Sequence, residues 1–139
     1  MKRLILLALA LPMLFACANA QTARKLKIVN SADGESTLEV FLPENPSGRA
    51  VVDCPGGGYS HLAMQHEGDV WAEYFKRRGI ALCVLKYRMP KGDRNIPLSD
   101  AYNAIKTVRD SAAQWHINPH DVGIMGFSAG GHLASSVST

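Results

Sequence analysis

The sequence predicts an α/β protein in which helices cover both faces of a mostly parallel sheet. Short apolar runs alternate along the chain with segments of helical periodicity, the order expected of strand–helix–strand units. The continuous apolar run at residues 80–85 is typical of a strand buried on both faces of a parallel sheet. With 139 residues, the chain is long enough for one domain of modest size.

The first twenty residues contain the three parts of a secretory signal peptide. Lys2 and Arg3 form a basic start, residues 4–15 are apolar, and residues 18–20 read Ala-Asn-Ala, a small-x-small cleavage site. The apolar run is too short to span a bilayer, which needs about 20 residues. We therefore predict that this segment is removed and that the protein is secreted or periplasmic. A buried N-terminal helix is the alternative interpretation.

A second type of processing would place the protein on a membrane. Leu14-Phe15-Ala16-Cys17 resembles a bacterial lipoprotein box, in which Cys17 is lipidated, but Phe15 fits that pattern poorly. Cleavage after Ala20 is therefore preferred. It leaves 13 basic and 12 acidic residues, because the leader holds two of the 15 basic residues and none of the acidic ones. Such a balance argues against a nucleic-acid partner, which would require clustered Lys and Arg.

The first predicted strands lie at one edge of the sheet. Residues 25–29 and 37–42 alternate between apolar and polar side chains, which suits a half-exposed antiparallel edge. Residues 30–34 have the composition of a turn between them. The next run, residues 50–54, is mostly apolar and ends in Pro55-Gly56-Gly57-Gly58-Tyr59. It is predicted to be the third strand.

A helix is predicted at residues 67–78. Its first turn is acidic, its last turn is basic, and Gly79 follows, as the helix dipole and a glycine C-cap favour. Trp71, Tyr74 and Phe75 share one face, which is expected to pack in the core.

A second helix follows the strand at 80–85 and a polar loop at 90–97. Ser99 is expected to be its N-cap, and it should run to about Trp115. Apolar residues recur on its predicted buried face at helical spacing. They are Ala101, Ile105, Val108, Ala112 and Trp115.

The segment Gly126-Phe127-Ser128-Ala129-Gly130-Gly131 joins a predicted strand at 122–125 to a helix expected from His132. Strand, Gly-x-Ser-x-Gly and helix form the context of a nucleophile elbow, in which a sharp turn lifts the serine clear of the sheet. Glycines flank the serine where that turn would crowd side chains. The hydroxyl of Ser128 would lie at a helix N-terminus, which favours developing negative charge. A glycine-rich turn with a capping serine is the alternative.

The three glycines after the third strand form a second motif. They allow backbone N–H groups to point inward, and such donors hold the oxyanion in acyl transfer. A flexible loop and a phosphate cradle are the alternatives, although the Gly-Lys-Ser/Thr ending of a phosphate loop is absent. Because an oxyanion hole of this type is built from such a loop and the elbow together, the pair of motifs favours acyl transfer.

Together the two motifs resemble those of the α/β-hydrolase esterases. Within them, Pro55-Gly56-Gly57-Gly58-Tyr59 and residues 126–134 are similar to the hormone-sensitive-lipase-like group and to bacterial carbohydrate esterases often labelled acetylxylan esterases. The resemblance runs from about Leu38 to the C-terminus. It implies that residues 21–139 are the N-terminal part of a single α/β-hydrolase domain. Many relatives carry His at the position of Pro55, and this departure favours the sugar-esterase branch.

The resemblance also implies roles for particular residues. Ser128 corresponds to the nucleophile, and the backbone N–H groups of Gly57, Gly58 and Ala129 correspond to the oxyanion hole. The implied function is a serine carboxylesterase that hydrolyses short-chain acyl esters, including acetyl groups on polysaccharide, through an acyl-enzyme. A serine peptidase of the same fold and a non-catalytic ligand-binding relative are the alternatives.

Three further residues are candidates for contact with substrate. Tyr59 and His61 lie in and just after the glycine loop, and Arg88 follows a strand at the edge where such sheets bind ligands. His132 lies four residues after Ser128, but the direction of the helix is expected to point it away from the open side of the hydroxyl.

In this fold the triad acid and base follow the nucleophile. The eleven residues after Ser128 contain no Asp or Glu. We therefore expect a fragment, truncated after the elbow, whose triad Asp or Glu and His lie beyond Thr139. A serine without its base is a weak nucleophile, so this polypeptide alone should be nearly inactive.

No cofactor and no metal is expected. His116 and His120 have the spacing of helical metal ligands, but Pro119 breaks the helix that such a site requires. Cys54 and Cys83 lie in apolar runs, and buried free thiols are preferred over a disulfide.

Overall fold

The computed structural model describes residues 24–139, and within them five strands form one sheet. The strands are β1 (Arg24–Val29), β2 (Thr37–Leu42), β3 (Arg49–Cys54), β4 (Ile80–Lys86) and β5 (Val122–Gly126). The helices are α1 (Met64–Glu67), a 3-10 turn (Asp69–Trp71), α2 (Ala72–Lys76), α3 (Asn95–Asp110) and α4 (Ala129–Ser138). The predicted leader lies outside the described residues, so export and lipidation stay predictions.

The described sheet is mixed, with an antiparallel edge and a parallel remainder. Its strand order is β1-β2-β4-β3-β5. β2 pairs antiparallel with both β1 and β4, whereas β3 pairs parallel with both β4 and β5. This confirms the α/β class and the position of the alternating strands. Every predicted strand lies within one residue of the observed one at each end.

Helices lie on both faces of the sheet, as predicted. Alternate residues of β4, among them Cys83, belong to the hydrophobic core that includes Ala104 of α3 and Leu133 of α4. The residues between them point the other way, and there Val84 lies against Gly68, between α1 and the 3-10 turn. Among the described helices, none is long and apolar enough to cross a membrane.

The helix predicted at residues 67–78 is broken in the structure. It begins earlier, at Met64, and stops at Glu67, because Gly68 has non-helical φ and ψ of −126° and −89°. A Cβ on Gly68 would lie 2.4 Å from the Met64 carbonyl oxygen and 2.7 Å from Cγ1 of Val84. The break therefore comes from close packing on the sheet, which helical periodicity does not report.

The aromatic face predicted for that segment is only partly in the core. Tyr74 is 45% exposed, and the Arg78 guanidinium lies 3.6 Å from the centre of its ring. Trp71 is half-buried and stacks on Phe127, with ring centres 5.8 Å apart and an interplanar angle of 14°. Placing Tyr74 in the core was wrong: in α2, which follows the break, Phe75 is half-buried and Tyr74 lies on the exposed side.

The long helix α3 starts four residues before the predicted cap. Ser99 is inside the helix, and its hydroxyl donates to the Ile96 carbonyl instead of capping. Asp93 accepts from the N–H of Asn95 at 2.9 Å, so this carboxylate orders the start. Pro97 is tolerated in the first turn, where its missing N–H would have no partner in the helix.

The predicted buried face of this segment is observed. Four of its five residues are buried and Ile105 is half-buried, although regular helix ends at Asp110 and turns continue to His116. Cys54 and Cys83 are buried free thiols, as predicted, and burial raises the pKa of each to about 12. Neither thiol is therefore available as a thiolate near neutral pH.

Candidate active site

Ser128 has a strained backbone between β5 and α4. Its φ and ψ are 50° and −118°, a conformation that L-residues rarely adopt. It occupies the N-cap position of α4, yet its side chain makes no capping hydrogen bond, and the residue is exposed. The alternative role of a capping serine is therefore not what this geometry provides. The helix begins at Ala129, three residues earlier than predicted, and Ser128 occupies the position just before it.

The glycines of this turn are required by close backbone contacts. A Cβ on Gly126 would lie 2.3 Å from the Gly130 carbonyl oxygen, and one on Gly130 would lie 1.9 Å from the Cys54 carbonyl oxygen. The first contact is within the turn, as the sequence predicts. The second is with the end of β3, so the turn also rests on the neighbouring strand, where Phe127 N donates to the Cys54 carbonyl at 3.1 Å.

The glycine loop after β3 lies directly against this turn. A Cβ on Gly56 would be 2.7 Å from the Phe127 carbonyl oxygen and 3.2 Å from Cβ of Ser128. Gly57 and Gly58 both have positive φ, 140° and 62°. The loop needs glycine here because such angles, and the 2.1 Å gap from a Gly57 Cβ to the His61 carbonyl oxygen, exclude most side chains.

Hydrogen bonds within the described loop leave the N–H groups of Gly57 and Gly58 unused. The Gly57 carbonyl accepts from the N–H groups of Ser60 and His61, at 3.1 and 3.2 Å. Within residues 24–139, the N–H groups of Gly57, Gly58 and Ala129 donate to no protein acceptor. The loop and the N-terminus of α4 thus present unused donors beside Ser128, which is the arrangement an anion requires.

Two acidic residues under the loop were not predicted as part of the site. Oε2 of Glu67 accepts from the N–H of Gly56 at 2.7 Å. Asp53, near the end of β3, is fully buried, and within the described residues neither of its carboxyl oxygens has a hydrogen-bond partner. Burial, reinforced by the charge of Glu67, raises the pKa of Asp53 to about 7. An acidic residue inside a mostly apolar strand was the available signal in the sequence.

Comparison with known proteins identifies the family. The BD-FAE family model matches residues 38–139. The chain belongs to the BD-FAE family. It is 54% identical over 127 residues to an acetylxylan esterase of Xylanibacter ruminicola, a match covering 91% of this chain and 26% of that protein.

Solved structures agree on the fold of this BD-FAE chain. MGS-M1, an α/β hydrolase enzyme from a Medee basin deep-sea metagenome library, superposes with a TM-score of 0.78 at 30% identity, over 86% of this chain and 52% of MGS-M1. An acetyl ester-xyloside bifunctional hydrolase from Caldicellulosiruptor lactoaceticus gives 0.66 at 38% identity, over 72% and 37%. The fold is that of the α/β-hydrolases, and the chain spans about half or less of these relatives.

Tyr59 connects the glycine loop of this BD-FAE chain to α4. Its hydroxyl lies 2.8 Å from Nδ1 of His132, and the two rings meet edge to face. Both residues line a cleft of about 500 Å³ with Arg94 and Leu98 at the start of α3. Tyr59 therefore faces a space large enough for a ligand, although its contact with substrate stays a prediction. His132 is held by Tyr59.

The two other substrate-contact candidates lie together on a different part of the surface. His61 is exposed and lines a cavity of about 440 Å³ with Arg88 and Met89. The Arg88 guanidinium pairs with fully buried Asp100 at 2.8 Å and with Asp33 at 2.6 Å, which raises its pKa. Arg88 thus braces the end of β4 against α3. Substrate binding by Arg88 stays a prediction, and it would require the guanidinium to contact substrate while it keeps both ion pairs.

Asp33 and Asp100, the partners of Arg88, differ in exposure. Asp100 is buried at the start of α3, and its carboxylate also accepts from the Arg88 backbone N–H at 2.8 Å. Asp33 is exposed, and hydrogen bonds from Ser31 and Glu35 help to lower its pKa to about 2. For metals, the described part of the chain contains no group of three His, Cys, Asp or Glu side chains placed to hold an ion.

Proposed function

We propose that this chain carries the nucleophile and the oxyanion hole of a serine carboxylesterase. Ser128 attacks the ester carbonyl, and the N–H groups of Gly57, Gly58 and Ala129 donate to the oxyanion that forms. The alcohol leaves, an acyl-enzyme remains, and water then releases the acid.

The observation that carries this proposal is the conformation of Ser128. An exposed serine with φ of 50° that does not cap its helix has no evident structural use for that strain. Strained residues of this kind cluster at active sites, where the surrounding structure holds them in place. Here the conformation is held by the close backbone contacts of Gly126 and Gly130 and by the packing of Gly56 against Ser128.

We propose short acyl esters, and acetyl groups on xylan-type polysaccharide in particular, as substrates. Support comes from two similar proteins, one described as an acetylxylan esterase and the other as an acetyl ester-xyloside bifunctional hydrolase.

The general base and its acid are proposed to come from residues outside 24–139. His132 follows Ser128 in the described chain, but its Nδ1 is engaged by the Tyr59 hydroxyl. The similar proteins are longer than this chain, since the match covers 26% of the Xylanibacter ruminicola protein and 52% of MGS-M1, so they have room for both groups. We also propose that the protein is exported, with cleavage after Ala20. N-terminal sequencing of the exported protein, expected to begin at Gln21, checks this.

The test uses the natural protein at its full length. We expect hydrolysis of 4-nitrophenyl acetate and release of acetate from acetylated xylan, with little action on a dipeptide 4-nitroanilide. Ser128→Ala should lower kcat by about four orders of magnitude or more. Ser135→Ala, an exposed serine on the same helix, is the matched control and should change kcat less than twofold.

Three results would contradict the proposal in different ways. Full activity in Ser128→Ala would remove the nucleophile assignment. A preference for the anilide would indicate a peptidase. Binding of acetylated xylan without any hydrolysis would favour a non-catalytic relative that keeps the pocket.

A further inference from the structure

We infer that Glu67 is a positioning residue that holds the glycine loop against the serine turn. It thereby keeps the loop N–H groups of the oxyanion hole in position relative to Ser128 and the N–H of Ala129. This inference rests on the proposed function, because it assigns Glu67 a role in that same site. Glu67 touches the loop backbone and is not proposed to touch substrate.

The contact of Glu67 with the loop falls at the point where the loop meets the turn. Its Oε2 accepts from the Gly56 N–H at 2.7 Å, and the Cα of Gly56 faces Cβ of Ser128 and the Phe127 carbonyl. Gly57 and Gly58, whose N–H groups are the proposed donors, follow immediately. A shift at Gly56 would therefore displace both donors relative to Ser128.

The segment from Glu67 to Trp71 also contacts the serine turn. Four residues after Glu67, the ring of Trp71 stacks on Phe127 of the serine turn at 5.8 Å. Between them, Gly68 packs on Val84 of the sheet. The segment from Glu67 to Trp71 is thus anchored on the sheet and reaches the loop with one side chain and the turn with another.

The surroundings of Glu67 suit a hydrogen-bond acceptor for the loop. Asp53 lies three residues before Gly56 and is buried without a partner in the described chain. Because burial raises the pKa of Asp53 to about 7, this carboxyl keeps its proton up to near neutral pH. Of the two acidic side chains, Glu67 is the one that accepts from the loop, through the Gly56 N–H.

Three substitutions separate positioning by geometry from a role of the negative charge alone. Glu67→Gln keeps the length and an acceptor oxygen, Glu67→Asp keeps the charge but is one methylene shorter, and Glu67→Ala keeps neither. Loss of one oxyanion donor costs about 100- to 1,000-fold in rate, and a misplacement of about 1 Å costs up to about 100-fold. We expect kcat to fall about 10- to 100-fold in Glu67→Ala and Glu67→Asp, and clearly less in Glu67→Gln.

The measurements are made on the complete natural protein, with 4-nitrophenyl acetate as substrate and an alkylboronic acid as probe. The boronate forms a tetrahedral anion on the serine, so its affinity should fall with kcat in each variant while KM changes less than about threefold. Glu73→Ala, an exposed position on α2, is the control and should leave kcat, KM and boronate affinity unchanged.

Two results would overturn the inference. The first is a folded Glu67→Ala variant whose kcat and boronate affinity both stay within twofold of wild type. The same result in folded Glu67→Asp would also overturn the inference, and this variant decides the test if Glu67→Ala does not fold. The other is the reverse order, with Glu67→Asp more active than Glu67→Gln, which would assign the effect to charge. The Ser128→Ala variant keeps the two hypotheses apart: if it is inactive while the Glu67 variants are normal, only the present inference fails.

Discussion

The two turns that form the site are held in place by different means. The serine turn after β5 is fixed by backbone against backbone, since Gly130 lies on the Cys54 carbonyl and Gly126 on the Gly130 carbonyl. The glycine loop after β3 has backbone hydrogen bonds of its own and in addition a side-chain contact, because Glu67 binds the Gly56 N–H from eleven residues away. Both turns require glycines, and the glycine loop also has a hydrogen bond from its backbone to a side chain on the following segment.

The two turns should differ in how well they tolerate substitution. A backbone contact at 1.9 Å leaves no room for even one methyl group, so the serine turn should fail as a unit. The loop has free space at Gly58, where a Cβ would meet nothing within 4 Å. A substitution there should therefore lower stability less than one in the serine turn. The larger effects should therefore fall on the turn that carries the nucleophile.

The largest effect is expected from Gly130→Ala. Its methyl group would overlap the Cys54 carbonyl, and relief requires β3 and the turn to separate. We expect a loss of about 3 kcal/mol or more in the free energy of unfolding, or failure to fold. Gly58→Ala is the matched comparison, and its positive φ of 62° should cost only about 1–2 kcal/mol. Equal losses in chemical denaturation would contradict the contrast between the two turns.

The buried carboxyl beneath the loop should make stability depend on pH. An unfolded Asp loses its proton near pH 4, whereas Asp53 in the fold has its pKa raised to about 7. Between these values the folded state binds more protons, so stability falls as pH rises and levels off above about pH 7. Asp53→Asn should remove this decline and raise the free energy of unfolding at pH 8 by about 2–4 kcal/mol.

Urea denaturation between pH 4 and pH 8 provides that measurement. Asp110→Asn, an exposed position at the end of α3, is the control and should leave the slope with pH unchanged. If Asp53→Asn keeps the wild-type slope, Asp53 is not the group that titrates.

The smallest effect is expected where the loop meets α4. Tyr59→Phe removes the hydroxyl that lies 2.8 Å from Nδ1 of His132 but keeps the edge-to-face ring contact. We expect a loss of about 0.5–1 kcal/mol in thermal unfolding, and kcat within about threefold of wild type. A tenfold fall in kcat would show that this link between the two turns takes part in the reaction.

Local patterns predicted the sheet and the serine turn well. Alternation and continuous apolar runs place every described strand within one residue at each end. The reason is that the spacing of apolar residues shows directly whether one or both faces of a strand are buried. The elbow is a compact motif whose steric demands fall on its own glycines. The glycine loop was likewise visible as three consecutive glycines after a strand.

Contacts between distant residues account for what the sequence did not predict. The break at Gly68 depends on close packing against Val84, which lies on β4, sixteen residues further along the chain. Glu67 was predicted only as an acidic residue in a first helical turn, because nothing near it in sequence indicates its bond to Gly56. The sequence pattern also missed the start of α3 at Asn95, whose N–H donates to the Asp93 carboxylate, while Ser99 lies inside the helix.

The first measurement should be covalent labelling of the complete natural protein with a fluorophosphonate, followed by peptide mapping in a mass spectrometer. An activated serine displaces fluoride and keeps the phosphonyl group. We predict a single adduct on Ser128, absent from Ser128→Ala and reduced in Glu67→Ala. No adduct on a folded protein, or an adduct at another serine that persists in Ser128→Ala, would contradict the assignment of Ser128 as the nucleophile.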